Sequence, residues 1–192
     1  MLKSHRPLST FGILLGLLLA LSLPASAFCA DDEEVWLMVD THALEVRVMR
    51  GKSPMLIFKE ISIGRFGATS DKRRLDGKTP LGEFRINLIK NKSAFHRFFG
   101  IDYPQLDQAE RALELGSLSA DEFRAIRQAI RAHRPPPQNT ALGGHLGIHG
   151  LGAGDLDVHE EYNWTQGCIA LTNEQIDELT PWLKLGTRVV IY

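Results

Sequence analysis

The sequence predicts a mainly β domain that carries a helical insertion and a further helix near its C-terminus. Short apolar-rich segments separated by glycine and proline occur on both sides of the middle of the chain, a pattern typical of β-strands joined by turns. Between about residues 105 and 138 the apolar residues instead follow helical spacing. The two patterns together indicate a β core that helices interrupt at one place.

Three strands are predicted at the start of this domain. Residues 36–40 and 44–49 are apolar-rich runs on either side of the short polar segment 41–43, and we interpret them as a hairpin. The sequence Gly-Lys-Ser-Pro at residues 51–54 supplies a turn. A third strand is predicted over residues 55–63.

Two more strands are predicted later in the chain. In residues 83–89 the apolar side chains of Phe84, Ile86 and Leu88 alternate with polar ones, which is typical of a strand with one buried face. Residues 188–192 form a closing strand.

The insertion is predicted to be a helical hairpin over about residues 105–138. Its first helix covers residues 105–115 and is followed by Gly116. Ser119 and Glu122 form a capping box at the start of the second helix, whose apolar residues then recur at helical spacing as Phe123, Ile126 and Ile130. Three prolines stop this second helix. Because the chain returns from the insertion towards His149, we expect the insertion to cap the functional cleft.

The last helix is predicted to begin after Thr172. Thr172 is a favourable N-cap, and Gln175 stands at the capping-box position. One apolar stripe follows, and Pro181 bends or ends the segment.

The first 27 residues are predicted to be a signal peptide. A basic start at Lys3, His5 and Arg6 precedes an apolar run over residues 11–23, and Ala-Ser-Ala at residues 25–27 is a typical cleavage site. The apolar run is too short to span a bilayer comfortably. We therefore expect a periplasmic or otherwise extracytoplasmic protein with a flexible start at residues 28–34, a domain over residues 35–192, and no stable membrane span after cleavage.

The composition limits the classes of function. A chain of 192 residues with 44% hydrophobic residues suits one globular domain after processing. A net charge of −1 gives no case for a nucleic-acid partner. We expect a monomer that uses no cofactor and no metal.

A cysteine and a histidine near the C-terminus form a candidate chemical pair. The chain reads Ile-His149-Gly, then continues for fifteen residues from Gly150 to Trp164, and then reads Thr165-Gln-Gly-Cys168. A thiol attacks a carbonyl as the thiolate, and a neighbouring imidazole is the usual base that generates it. The glycine before Cys168 gives the backbone freedom to turn towards a developing oxyanion.

These residues resemble the L,D-transpeptidase catalytic domain, the YkuD family, in which His-Gly is followed by a loop and then by Ser/Thr-x-Gly-Cys and an aliphatic residue. The segment 78–84, Lys-Thr-Pro-Leu-Gly-Glu-Phe, resembles the family's Thr-Pro-x-Gly-x-Phe motif. The resemblance covers residues 35–192. The chain departs from many members at Gln166, where they have histidine, and at Ala170, where they have arginine.

The resemblance implies a β-sandwich with a helix after the catalytic cysteine and an enzyme that acts on peptidoglycan stem peptides. Cys168 is then the nucleophile that forms a thioester, and His149 is the general base. Residues assigned to the oxyanion site and its support are Thr165, Gln166, Gly167 and Gly150. Weaker candidates for substrate binding are Trp164, Arg73 and Arg74. The donor bond implied by the family joins the L-centre of a diamino acid to D-Ala.

Several alternatives remain open at this stage. The same pair serves a hydrolase that releases a stem residue or a wall-linked protein, whereas a non-catalytic wall-binding module would not need a reactive, low-pKa thiol. His145 and His149 could hold zinc together with His159 or Cys168. Cys29 and Cys168 could form a disulfide, and the helix after Cys168 could stabilise its thiolate if it points at the sulfur.

Overall fold

The computed structural model describes Met1 and residues 34–192. Residues 2–33, which hold the rest of the predicted signal peptide, Cys29 and all but the last residue of the predicted flexible start at 28–34, lie outside the described residues. Within the described part, strands predominate. Eight of them form one large mixed sheet, in which the strands follow one another in the order 53–58, 45–50, 35–40, 188–191, 82–93, 96–101, 147–150 and 169–171. The mainly β fold predicted from the sequence is confirmed.

The first three strands are β1 (Val35–Asp40), β2 (Glu45–Arg50) and β3 (Ser53–Phe58). The predicted hairpin is confirmed, because β1 and β2 pair antiparallel in register from Val35–Arg50 to Asp40–Glu45. The third strand ends at Phe58 and not at Ile63. The chain leaves β2 there, so that Ser62 and Gly64 bridge to Ala170 and Thr165 beside the candidate site.

The long strand β6 (Gly82–Ser93) joins the two halves of the sheet. Its first residues pair with β10 (Arg188–Ile191), whereas the rest pairs with β7 (His96–Ile101). Apolar side chains from both halves meet in one buried core, which includes Leu37, Val39, Phe84, Ile86, Phe99 and Ile148. The sheet therefore encloses its core as a sandwich does.

The strands β7 and β9 (Ile169–Leu171) were not predicted, whereas a strand that ends at His149 was expected. β7 carries Phe98, Phe99 and Gly100 in succession and lacks the alternation on which the strand prediction depends. β8 (Gly147–Gly150) and β9 (Ile169–Leu171) are short and buried along their whole length. Buried parallel strands of this kind have no alternation of apolar and polar residues in their sequence, so the pattern that predicts a half-buried strand is absent. A two-stranded sheet of β4 (Ala68–Thr69) and β5 (Thr79–Pro80) lies beside them.

Two helices occupy the predicted insertion, α1 (Leu106–Glu114) and α2 (Ala120–Arg131). The capping box at the start of α2 is present, because the Ser119 hydroxyl accepts the N–H of Glu122 while the carboxylate accepts the N–H of Ser119. The helices are part of the core and not a surface decoration, since Ala109 and Ile126 are fully buried in it.

The helix after the cysteine is α4 (Asn173–Leu179), and its predicted Thr172 cap is confirmed. The helix ends before Pro181, which lies in a short 3₁₀ turn. A third helix, α3 (Leu156–Glu161), lies in the segment between His149 and Thr165 and begins at an Asp155 cap. Its six residues are too few to show a helical period in the sequence.

Among the helices of the described residues, none is long and apolar enough to cross a membrane.

Candidate active site

The histidine lies on β8, and the cysteine immediately precedes the neighbouring strand β9. β8 and β9 pair in parallel, with His149 in register with Ala170. Partners across a parallel ladder project to the same face, and so do residues two positions apart along an extended chain. The side chains of His149 and Cys168 therefore project from the same face of the sheet. His149 and Cys168 are nineteen positions apart in the sequence, and the pairing of β8 with β9 brings them together.

Cys168 is a free, half-buried cysteine. Its thiol donates to the carbonyl of His145 at 3.8 Å. Burial raises the pKa of the thiol to about 11, although the N–H of Gly147 and the charge of Lys72 act in the opposite direction. From the sequence, an enzyme was expected to have an exposed thiol with a lowered pKa. The partial burial and raised pKa of Cys168 differ from that expectation. The resting sulfur is a protonated thiol.

His149 is buried on β8 and oriented by the backbone. Its Nδ1 lies 2.7 Å from the carbonyl oxygen of Gly150. A carbonyl only accepts hydrogen bonds, so Nδ1 carries the proton and Nε2 keeps its lone pair. Burial also lowers the pKa of His149. The imidazole is therefore neutral and able to accept a proton through Nε2.

Aromatic rings surround the imidazole. The Phe95 ring centroid lies 4.3 Å from that of His149, and Phe98 stacks at 6.2 Å. Trp164 approaches edge-on at 5.9 Å, and its indole N–H donates to Nδ1 of His159 at 3.2 Å. Trp164, proposed from the sequence for substrate binding, thus forms a wall of the imidazole site.

Thr165 fixes the turn that carries the cysteine. Its hydroxyl donates to the carbonyl of Cys168 at 2.7 Å and accepts the N–H of Gly167 at 3.1 Å. The Gly167 N–H is therefore engaged and is not free for an oxyanion, contrary to the expectation from the sequence. The N–H of Cys168, by contrast, has no acceptor among residues 34–192.

The two sequence motifs pack against each other at Gly167. Its φ is +123°, and a Cβ at this position would lie 2.4 Å from the carbonyl oxygen of Lys78. Thr79, in the same motif as Lys78, accepts the N–H of Gly64 through its hydroxyl. The Thr-Pro motif is therefore the support on which the Gly-Cys turn rests.

Replacing Gly167 with alanine should lower the free energy of unfolding by at least about 2 kcal/mol, because the new methyl group collides with backbone that has little room to move. A matched control is Gly186→Ala, since Gly186 also has a positive φ (+86°) but has no atoms within 4 Å of the added Cβ. The control should cost only about 1 kcal/mol of backbone strain. Urea unfolding of both variants measures the difference, and equal losses would contradict this account of Gly167.

A small cleft, named the polar cleft for the charged and amide side chains among its lining residues, lies on one side of the cysteine turn. It has a volume of about 240 Å³, and its lining includes Lys72, Arg74 and Gln166 together with residues 138–139 and 143–145. Of the two arginines proposed for substrate binding, Arg74 lines this cleft. Arg73 does not line it, and its side chain is exposed.

A larger apolar cleft lies on the histidine side. Its volume is about 510 Å³, and Phe95, Phe98 and Leu146 line it. Gln138 and His145 belong to the lining of both clefts. Gln138 follows the prolines at the exit of the insertion, and its side chain accepts the N–H of His145 at 2.7 Å. The exit of the insertion, and not its helices, borders the site.

The helix after the cysteine supports the site without pointing at the sulfur. The four residues from Ile169 to Thr172, most of them in β9, separate Cys168 from the start of α4 by about 13 Å of extended chain. The first residue of α4, Asn173, instead holds the segment after His149, because its amide bonds both the N–H and the carbonyl of Gly152 at 2.8 Å.

Within the part of the chain that the structure describes, no group of three or more histidine, cysteine, aspartate or glutamate side chains is arranged to hold a metal ion. The side chain of His145 is exposed, whereas that of His159 is buried and engaged with Trp164.

Comparison with solved structures supports the fold. Pgp2, the helical cell shape determining protein of Campylobacter jejuni, superposes with a TM-score of 0.55 at 22% identity over 84% of this chain and 48% of Pgp2. Bd1075 of Bdellovibrio bacteriovorus superposes with a TM-score of 0.50 at 17% identity over 83% of this chain and 48% of Bd1075. The chain thus spans about half the length of each of these proteins.

A search of curated protein sequences finds no significant match. The family model of the L,D-transpeptidase catalytic domain, by contrast, matches residues 34–191, which is nearly the whole of the described structure. The chain belongs to the YkuD family of L,D-transpeptidase catalytic domains.

Proposed function

We propose that this protein is an extracytoplasmic cysteine acyltransferase that acts on peptidoglycan stem peptides through a thioester on Cys168. The observation that carries the proposal is the common face of His149 and Cys168, with Nδ1 of the imidazole held by the Gly150 carbonyl. This arrangement leaves Nε2 free to accept the proton of the thiol.

Acylation begins from the neutral pair. His149 takes the proton from Cys168 as the sulfur attacks the carbonyl carbon of the stem peptide, forming the S–C bond. The tetrahedral oxyanion is stabilised by the free N–H of Cys168. The C–N bond of the donor peptide then breaks, and the imidazolium returns its proton to the leaving amine. A thioester on Cys168 and a free amine result.

Deacylation decides the product. An amine of a second stem attacks the thioester, forming a C–N bond as the S–C bond breaks, and gives a cross-link. His149 accepts the proton of the attacking amine and passes it to the departing sulfur of Cys168. If water attacks in place of the amine, the stem is shortened by one residue. Both outcomes use the same pair, and we propose the transfer as the main reaction. We further propose that the mature protein acts in the periplasm.

The likeness to Pgp2, which is a cell shape determining protein in its own organism, leads us to propose a part in cell shape for this protein also. Cross-linking or trimming of stem peptides changes the wall, which is the structure that holds the shape of a bacterial cell. The fold likeness alone supports this part of the proposal.

The neutral pair predicts an unusual pH profile for acylation. Burial holds the pKa of His149 below its ordinary value of 6.5, so the imidazole stays unprotonated in weakly acid solution. The value of kcat/KM should therefore decrease only at a pH below 6.5. With the thiol pKa at about 11, no decrease should appear at alkaline pH up to 9. A decrease between pH 7 and 9 would show that an imidazolium is required, and would contradict the neutral pair.

The proposed function is tested by the masses of wall fragments before and after incubation with purified protein. Transfer predicts cross-linked fragments whose mass is the sum of two stems less the mass of the free amino acid released. Hydrolysis predicts stems that have lost one residue, without cross-links. Unchanged fragments would contradict both enzymatic readings and leave the wall-binding module.

A further inference from the structure

Lys72 is a lysine almost wholly removed from solvent. Lys72 is only 5% exposed, and a lysine is seldom buried unless a partner compensates its charge. Its Nζ donates to Oδ1 of Asp76 at 2.5 Å and to the carbonyl of Arg73 at 3.2 Å. An ammonium has three donors, so these two contacts leave one N–H of the group for another acceptor.

The ammonium lies directly against the turn that carries the nucleophile. A Cβ added to Gly167 would lie 3.3 Å from Nζ of Lys72 and 3.1 Å from its Cε. Gly167 precedes Cys168, and Lys72 also lines the polar cleft next to Gln166. The position of the charge is therefore fixed relative to the sulfur by packing as well as by the ion pair.

Asp76 holds this charge in place. Its carboxylate accepts the N–H of Arg73 at 2.7 Å and the N–H of Lys78 at 2.9 Å. Burial by itself would raise the pKa of Asp76, but these hydrogen bonds and Lys72 together hold it below its usual value. Asp76 therefore remains a carboxylate at neutral pH. Its hydrogen bonds to the N–H groups of Arg73 and Lys78 fix its position within the segment 73–78.

Lys72 stands apart from the other groups that act on the thiol. Burial raises the pKa of Cys168, and the N–H of Gly147 and the charge of Lys72 lower it. Of these, Lys72 alone carries a full charge. The neighbouring imidazole of His149 is neutral, and His145 faces the sulfur with its carbonyl. An opposite charge close to an ionising group favours its charged form.

We propose that Lys72 is a positioning residue of this site, whose ammonium, held against the Gly167 turn by Asp76, stabilises the Cys168 thiolate as His149 removes the thiol proton. The proposal rests on the proposed function for the reaction that uses the thiolate. The effect on the sulfur itself can be measured without any wall substrate.

Alkylation by iodoacetamide is a suitable readout, because the sulfur forms the S–C bond, iodide leaves with the electrons of the C–I bond, and no oxyanion is involved. Rates are measured between pH 6 and 9.5 in a Cys29→Ala background, so that Cys168 is the sole thiol. Lys72→Met should react about tenfold more slowly at each pH, which corresponds to a shift of about one pKa unit. Lys72→Gln removes the same charge but keeps a donor for Asp76, and serves if the Met variant does not fold.

Asp76→Asn is the matched variant that separates electrostatics from structure. Its amide oxygen still accepts from Nζ of Lys72, and packing against the Gly167 turn keeps the ammonium in place. Because only the negative charge is removed, its alkylation rate should equal or exceed that of the unsubstituted protein. Circular dichroism and thermal unfolding confirm that each variant is folded. Equal slowing in the Lys72 and Asp76 variants would show a purely structural role, and an unchanged rate in folded Lys72→Met or Lys72→Gln would also overturn the proposal.

The failure of the proposed function is recognised separately. If wall fragments are unchanged by the unsubstituted protein while the alkylation rates differ as predicted, the acyl-transfer function is wrong and the assignment of Lys72 stands. If the unsubstituted protein changes the wall fragments and the Lys72 variants alkylate at the original rate, the acyl-transfer function stands and the assignment of Lys72 is wrong.

Discussion

A Cys168→Ala protein is expected to have no measurable turnover of stem peptides and to form no covalent adduct with carbapenem β-lactams, which the family resemblance suggests as acylating inhibitors. The reason is that the thioester requires a sulfur, and Cys168 is the free cysteine of the described structure. Alanine keeps the Cβ of cysteine and lacks only the sulfur, so the fold should be retained. Intact-protein mass after incubation with a carbapenem measures the adduct.

The matched control is Cys29→Ala. Cys29 lies beside the predicted cleavage site, outside the described residues, and its replacement should leave both turnover and adduct formation unchanged. Full activity of the Cys168→Ala protein would show that another group is the nucleophile.

A His149→Ala protein should acylate about 10²–10⁴-fold more slowly, which is the usual contribution of a positioned general base. The loss should be large here because the thiol is protonated at rest, with a pKa of about 11, and depends on a base at the moment of attack. Stopped-flow or quenched measurement of the first acylation event isolates this step. The residual rate should rise with pH, as hydroxide replaces the missing imidazole.

His145→Ala provides the control for this prediction. The side chain of His145 is exposed, and its contact with the thiol is made by the backbone carbonyl, which alanine retains. We expect its effect to be much smaller than that of His149→Ala. If the two effects were reversed, the assignment of the base would be wrong, and restoration of activity by added zinc would favour a metal site.

The core motifs could be predicted from sequence because each depends on local chemistry. The Thr172 and Ser119 caps are formed by hydroxyls that bond to an N–H three residues later, so their signal is contained in four residues. The family motifs around His149 and Cys168 are equally short. The pairing of β8 with β9, which brings the two motifs together, follows from the family fold.

Other features depended on contacts between distant segments. The sequence shows three consecutive basic residues from Lys72 to Arg74, and nothing local says which of them is buried. Asp76 and the Gly167 turn decide it, because together they enclose Lys72 and leave both arginines exposed. For this reason the arginines were predicted as site residues and Lys72 was not.

The protonation states of Cys168 and His149 also could not be predicted from the neighbouring sequence. A glycine before a cysteine suggests free N–H groups, but Thr165 accepts the one on Gly167. A helix following Cys168 suggests a lowered thiol pKa, but β9 lies between them and burial dominates. The pKa of a buried group is set by its whole surroundings, which only the folded chain supplies.

The most direct test of the central claim is the mass of the protein itself during turnover. Purified protein is mixed with a stem tetrapeptide, quenched in acid within the first turnovers, digested with a protease and examined by mass spectrometry. We predict that the peptide containing Cys168 gains the mass of the stem less the mass of the free amino acid that leaves, that hydroxylamine removes this addition, and that His149→Ala slows its appearance. Product formation without any addition on Cys168, or an addition on another residue, would contradict it.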